Sequence, residues 1–272
     1  MKRTIKLAAI DLDGTLLGPD KQISPENLAA LRSLEADGVE ILLATGRHLT
    51  RITPYLAQVA DARWAVTCQG ASVFDLQANQ AIYSVFLTPA ETRLLIGLGS
   101  RLGFSSVIYS EDAVRTLQPD PLTDYYGHLA GGQPLETDAT DFSRIHAHKV
   151  VWLGEAESIS RLPDLPEIAG LPLYHVRTEE HLYEFLPSDA SKALGVAAVT
   201  ERMGISSHEV VAFGDGDNDI PLFRWAGWSF AMPHGTVAAR EAATEVAATG
   251  APEAAFARAV ESLRRTPCRT IS

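Results

Sequence analysis

Three short apolar runs in this chain each break off at a polar cluster. Ile5–Ile10 ends at Asp11, Val39–Ala44 at Thr45-Gly46-Arg47, and Val210–Phe213 at a loop rich in glycine and aspartate. Short, mainly apolar runs that break at a polar loop read as buried strands, as in a parallel sheet covered by helices. The segment between the first two runs supplies such a helix. Ser24-Pro25-Glu26 marks its start, with a capping hydroxyl, a proline suited to the first turn and an acid at the positive end of the dipole. Leu28, Leu31 and Leu34 hold one face, and Gly38 is placed to stop it. Strand, helix, strand, with a polar cluster after each strand, predicts an α/β fold with a Rossmann-like parallel-sheet core.

The pattern changes from about Ala71. Ala71–Leu76 and Ala81–Leu87 flank a predicted hairpin turn, and Thr88-Pro89-Ala90-Glu91 carries a capping-box pattern ahead of Leu94, Leu95, Leu98 and Leu102. Phe104–Tyr109, Ile145–Leu153, Leu173–Arg177 and His181–Leu186 read as strands, whereas Gln118–Pro134 is rich in Pro, Gly, Asp and Tyr and is expected to be irregular. Helix and strand alternation resumes at Ser188. The expected organisation is an α/β core of residues 1–83 and 181–272 interrupted by an inserted α+β cap domain, residues 84–180.

Composition excludes several classes of function. The 272 residues are 46% hydrophobic and 21% charged, a globular balance, and their formal net charge is −11. Such a chain repels polyanions, which argues against a nucleic-acid-binding surface, and any small anionic ligand needs local cationic help. Two cysteines, Cys68 and Cys268, are too few for a disulfide scaffold or a multi-cysteine zinc site and fit a reducing cytoplasm. No apolar stretch approaches the roughly 20 residues of a membrane span. The basic start is followed by too short an apolar run for a secretory leader. The expectation is a cytoplasmic protein with no membrane and no nucleic-acid partner, acting as a monomer or small homo-oligomer.

Four clusters carry the chemistry. Asp11-Leu12-Asp13-Gly14-Thr15 places two carboxylates after the first strand. Asp11 could attack phosphorus, Asp13 could protonate the leaving oxygen and then deprotonate water, and Gly14 would let the backbone approach the phosphoryl group. In Gly214-Asp215-Gly216-Asp217-Asn218-Asp219, clustered carboxylates repel unless a cation such as Mg²⁺ compensates. A calcium loop is disfavoured because the twelfth position is Trp225 or Ala226, not glutamate. Thr45 offers a hydroxyl and nearby amides to phosphate oxygens. Lys192, in the first turn of its predicted helix, supplies positive charge for phosphoryl transfer. The bland alternatives are turns, a solvated acidic loop and a surface lysine.

Taken in order, these clusters resemble the four motifs of the haloacid dehalogenase-like hydrolases, and within them the Cof-type phosphatases with a type IIB cap. The matching segments are Ala-Ile-Asp-Leu-Asp-Gly-Thr-Leu-Leu (9–17), Ala-Thr-Gly-Arg (44–47), Ser-Lys-Ala-Leu (191–194) and Gly-Asp-Gly-Asp-Asn-Asp-Ile (214–220). The resemblance implies Asp11 as nucleophile and Mg²⁺ ligand, and Asp13 as acid/base and main-chain metal ligand. It implies Asp215 as a metal ligand, with Thr45 and Lys192 holding phosphate and Asn218 approaching it; Gly46 and Arg47, at the end of the second motif, are further candidates for binding substrate. Asp219 would support the metal or Lys192. The implied activity is Mg²⁺-dependent hydrolysis of small phosphorylated metabolites, sugar phosphates or related phosphomonoesters, through an aspartyl-phosphate, under a cap able to close over the site. A phosphomutase of the same superfamily and a non-catalytic phosphometabolite sensor are the alternatives. The chain departs from its relatives at Cys68-Gln69-Gly70-Ala71, at Ala193 and at Met232-Pro233-His234-Gly235, all at the edge of the expected pocket. His146, His148 and His181 read as structural or solvated, and Cys68 as a buried thiol.

Overall fold

The computed structural model describes residues 4–59, 62–129, 132, 134–136 and 145–265. Cys268 lies outside them. The first elements are β1 (Leu7–Ile10), α1 (Pro25–Ala36), β2 (Glu40–Ala44), α2 (Leu49–Leu56), β3 (Trp64–Thr67), β4 (Ser72–Asp75) and β5 (Gln80–Ser84). There follow α3 (Pro89–Leu102), β6 (Ser105–Ser110), β7 (Val114–Thr116), α4 (Pro121–Leu129), β8 (Leu135–Glu136), β9 (Ala147–Leu153), α5 (Ala156–Ser160), α6 (Pro166–Ala169), β10 (Tyr174–Glu179) and β11 (Leu182–Leu186). The last are α7 (Lys192–Met203), β12 (Val210–Gly214), α8 (Ile220–Trp225), β13 (Trp228–Ala231), α9 (Val237–Ala242), β14 (Glu245–Val246) and α10 (Ala255–Arg265).

The chain divides into two compact units. The first holds an eight-stranded sheet in the order β14-β13-β12-β1-β2-β3-β4-β5. Strands β14 to β3 run parallel, and β4 turns back antiparallel on β3. From β1 the chain builds outward to β2 and β3 on one side, and later to β12, β13 and β14 on the other. The β1/β12 seam is therefore a topological switch point, where such sheets open a crevice at their carboxyl ends.

The inner strands β1, β2 beyond Glu40 and β12 are buried residue after residue, which explains why they are apolar without alternation. Leu7, Ala9, Leu42, Ala44, Val66 and Ala212 join Val196 and Val199 of α7 in one core cluster. Elsewhere Phe213 stacks on Phe230 and meets Phe256 of α10 edge-on, with ring centroids 5.6 and 5.0 Å apart. Ser24 caps α1 as expected, its hydroxyl accepting from the Asn27 N–H. Buried Asn27 then ties three segments: its amide donates to the Leu16 carbonyl and accepts from the Ala257 N–H.

The second unit contains a six-stranded sheet, β10-β11-β9-β6-β7-β8, antiparallel except at β7/β8. Its core packs Leu95 and Leu98 of α3 with Ile108, Val150, Trp152 and Phe185. The Thr88–Glu91 capping box is present at the start of α3. Two boundaries differ from the expected ones. Residues 181–190 belong to this unit, because Leu182–Leu186 pairs with both β9 and β10. Arg47–Thr53 also belongs to it: His48 Nε2 donates to the Ser110 carbonyl at 3.0 Å, and its ring meets Tyr109 edge-on. Within the stretch expected to be irregular, Pro121–Leu129 is helical. The Asp120 carboxylate accepts from the Thr123 N–H, and the Thr123 hydroxyl accepts from the Asp120 N–H, so Asp and Pro start a helix there. His148 Nδ1 donates to the Val85 carbonyl and its ring stacks on Phe86, while His181 Nδ1 donates to the Gly154 carbonyl, so both are structural.

The turn after β3 packs against the start of α7. Gly70 has φ +99°, and a Cβ there would sit 1.9 Å from the Ser191 carbonyl oxygen. Gly38, after α1, has φ +77° with nothing within 4 Å of an added Cβ. Gly38→Ala is expected to cost about 1 kcal/mol, from backbone conformation alone. Gly70→Ala is expected to cost at least about 2 kcal/mol, since backbone must also move. Urea unfolding of the two variants checks this, and equal losses would contradict it.

Candidate active site

Each candidate residue of the first unit is carried to the carboxyl edge of its sheet by strand register. Ile10 pairs with Leu43 on one side and Phe213 on the other, and the Asp11 N–H still donates to the Phe213 carbonyl at 3.0 Å. Asp11, Thr45 and the loop after Gly214 therefore emerge side by side. The Thr45 N–H donates to the Val66 carbonyl, and the Thr45 carbonyl accepts from the Gln69 N–H at 3.0 Å. Helix α7 begins beside them. Ser191 caps it, its hydroxyl accepting from the Leu194 N–H, and Lys192 is its first residue.

Lys192 is the hub. Its Nζ lies 2.6 Å from Asp11 Oδ1 and 2.7 Å from Asp219 Oδ1, with the lysine 1% exposed. The other Asp219 oxygen accepts from the Asp215 and Gly216 N–H groups, each at 3.0 Å. Asp219 is thus saturated by donors from its own loop and from Lys192. Asp215 completes the cluster: one oxygen from each of Asp11, Asp215 and Asp219 falls within a 4.8 Å group, the one candidate cation cluster among the described residues. Thr15 Oγ1 donates to Asp215 Oδ1 at 3.4 Å.

One buried ammonium does not balance three carboxylates. Burial raises the Asp11 pKa to about 7; Lys192 opposes this, while Asp219 and Asp13 add to it. Asp215 is also pushed well up, by burial first and then by Asp11 and Asp219. Burial disfavours the Lys192 ammonium, but Asp11 and Asp219 more than offset that, so its pKa lies above the ordinary lysine value. The pocket is short of positive charge. Its spare donors are carboxylate oxygens, the set that a hard divalent cation such as Mg²⁺ prefers. Gly14 leaves the room: with φ +76°, a Cβ there would fall 2.2 Å from Asp215 Oδ2. His234 Nε2 donates to the Gly14 carbonyl at 2.7 Å and holds the loop in place.

Asn218 has a partner, Gln69, that the sequence marks only as a departure at the pocket's edge and not as a site residue. Gln69 Oε1 accepts from Asn218 Nδ2 at 3.0 Å, with Gln69 itself buried. Cys68, Gln69 and Gly70 all have positive φ, which turns the Gln69 side chain toward Gly46. A Cβ on Gly46 would lie 2.4 Å from Gln69 Nε2. The available signal was position: Gln69 follows an apolar strand, as Asp11 and Thr45 do. Arg47 is not in this unit; it groups with the second, where its Nη1 donates to the Arg51 carbonyl at 3.4 Å.

A profile of the family described as haloacid dehalogenase-like hydrolase matches residues 8–259. The Bacillus subtilis (strain 168) protein YxeH is 29% identical over 246 residues, which cover 88% of this chain and 91% of that one. The HMP-PP phosphatase of Klebsiella pneumoniae (strain 342) is 25% identical over 228 residues, 84% of each chain. A solved subclass IIB sugar phosphatase shares the fold, with a TM-score of 0.83 and 21% identity over 95% of this chain and 99% of that one. The chain belongs to the haloacid dehalogenase-like hydrolases. Its place within them is among the Cof-type phosphatases, enzymes acting on small phosphorylated compounds. No helix among the described residues is long and apolar enough to cross a membrane.

Removing the hub has a stability consequence. Lys192→Met leaves buried Asp11 and Asp219 without their cation, and is expected to cost about 3 kcal/mol in metal-free buffer. Denaturant unfolding measures it. A loss under about 0.5 kcal/mol would mean that the pairs do not hold the site together.

Proposed function

We propose that this protein hydrolyses small phosphomonoesters with Mg²⁺ through an aspartyl-phosphate on Asp11. The observation that carries the reading is the Lys192 bridge from Asp11 to Asp219 beside an under-neutralised Asp215. Lys192 fixes Asp11 Oδ1 and so orients the second carboxylate oxygen toward the bound phosphorus. That oxygen forms the Asp11 O–P bond as the P–O bond to the ester breaks. The Asp13 carboxyl passes its proton to the departing oxygen, releasing the alcohol. The Asp13 carboxylate then takes a proton from water as the water oxygen bonds to phosphorus and the Asp11 O–P bond breaks. The sum is ester plus water giving alcohol plus inorganic phosphate.

Thr45, the Gly46 N–H and Asn218, held by Gln69, are the groups that would receive phosphate oxygens, with Lys192 lending positive charge. Asp11 and Asp215, with the Asp13 carbonyl, would hold Mg²⁺, whose charge offsets the carboxylates where the phosphate must sit. Asp219 supports by fixing Lys192 and the Asp215 backbone. The substrate class follows the relatives, among them the similar Klebsiella protein, which is named HMP-PP phosphatase.

Asp11→Asn is expected to abolish phosphate release from p-nitrophenyl phosphate in excess Mg²⁺, and undiminished turnover would rule out the nucleophile. Asp13→Ala is expected to keep the fold, by circular dichroism, while slowing turnover roughly 10²-fold or more. An unchanged steady-state rate would remove Asp13 from the acid/base role. Following labelled phosphate from a hexose monophosphate separates release to water from transfer to a second sugar hydroxyl, the mutase outcome.

A further inference from the structure

The loop joining β1 to α1 is pinned at both ends. Leu12, Leu16 and Leu17 are buried in its first half and Ile23 in its last. Between them a tight turn closes on itself. The Gly18 N–H donates to the Gln22 carbonyl at 2.8 Å, the Lys21 N–H to the Gly18 carbonyl at 2.9 Å, and the Gln22 N–H to Asp20 Oδ1 at 3.0 Å. This turn holds Lys21 at φ +59°, a left-handed conformation uncommon for a side-chain-bearing residue. From there the Lys21 ammonium reaches back across the loop to Asp13 Oδ1 at 2.8 Å.

We propose that Lys21 is a positioning residue for Asp13: its ammonium, aimed by the left-handed turn, fixes the rotamer of the carboxyl that serves the leaving group and the water. This rests on the phosphatase reading above. Two observations meet here. A freely solvated lysine has no need of a left-handed backbone closed by hydrogen bonds, and the carboxylate it finds is the one two residues beyond Asp11. A carboxyl free to rotate offers its proton to the ester oxygen in only part of its orientations. With Oδ1 held by an ammonium at 2.8 Å, the carboxyl keeps one orientation, and Oδ2 is left to carry and give the proton. The pair is about one third exposed on each side, 35% for Lys21 and 30% for Asp13, so its removal leaves the fold intact.

The test compares wild type, Lys21→Met and Lys21→Arg in excess Mg²⁺ on phenyl phosphate and p-nitrophenyl phosphate, substrates of similar size. Phenolate is the poorer leaving group and depends more on the acid. Lys21→Met is expected to lower kcat on phenyl phosphate about tenfold, and on p-nitrophenyl phosphate by less. KM should stay within about twofold and the thermal midpoint should not move. Lys21→Arg, which keeps the cation, is expected to restore most of kcat. In an Asp13→Asn background, followed by single-turnover phosphate release, Lys21→Met is expected to cause no further loss. A full tenfold loss in that background, or no loss in the wild-type background, overturns the assignment while the phosphatase reading stands. A wild-type protein that releases no phosphate from either ester overturns both together.

Discussion

A single buried ammonium shared by two carboxylates organises this protein. Lys192 sits at the start of α7 because Ser191 caps that helix and because Gly70 lets the turn after β3 press against the Ser191 carbonyl. Asp11 and Asp219 come from opposite sides of the β1/β12 seam. The ion pairs therefore tie together three segments that the sequence separates by 181 and 27 residues. None of the three groups is stable there alone, since a buried charge without its partner is costly. The site and the local fold are one structure.

That arrangement leaves the electrostatics unfinished. Asp219 spends both oxygens on Lys192 and on the Asp215 and Gly216 amides. Asp11 is only half answered by Lys192, and Asp215 meets a hydroxyl at 3.4 Å. Burial with too little positive charge is why both acids hold protons more tightly than an ordinary aspartate. A phosphoryl dianion entering such a pocket would be repelled. The chain's net charge of −11 first argues against anionic partners; read locally, the under-neutralised carboxylates are the reason a cation is proposed as part of the site.

Much of this was legible in the residues. Apolar runs ending in Asp11, Thr45 and Gly214 gave both the parallel sheet and its carboxyl edge, because a strand buried on two faces needs no polar positions until it leaves the sheet. What stayed hidden depends on long-range pairing or on residues with two uses. The strand Leu182–Leu186 looks the same whichever sheet it joins, and its pairing with β9 and β10 places it in the second unit, so that the first resumes at Ser191 and not at 181. Asp120 and Pro121 read as loop punctuation, yet the same side chains start helix α4. Arg47 follows a site motif but lies with the second unit, through a histidine contact that no local pattern announces. Gln69 and Lys21 act through left-handed backbone positions, which non-glycine side chains give little warning of.

In the proposed reaction this acidic pocket accepts phosphate only once a divalent cation has joined Lys192. Isothermal titration of the protein with inorganic phosphate, with and without saturating Mg²⁺, tests it most directly. Binding in Mg²⁺ and none detectable in metal-free buffer is the expected result. Equal affinity in the two buffers would contradict it, and would mean that Lys192 and the backbone amides suffice to hold the anion.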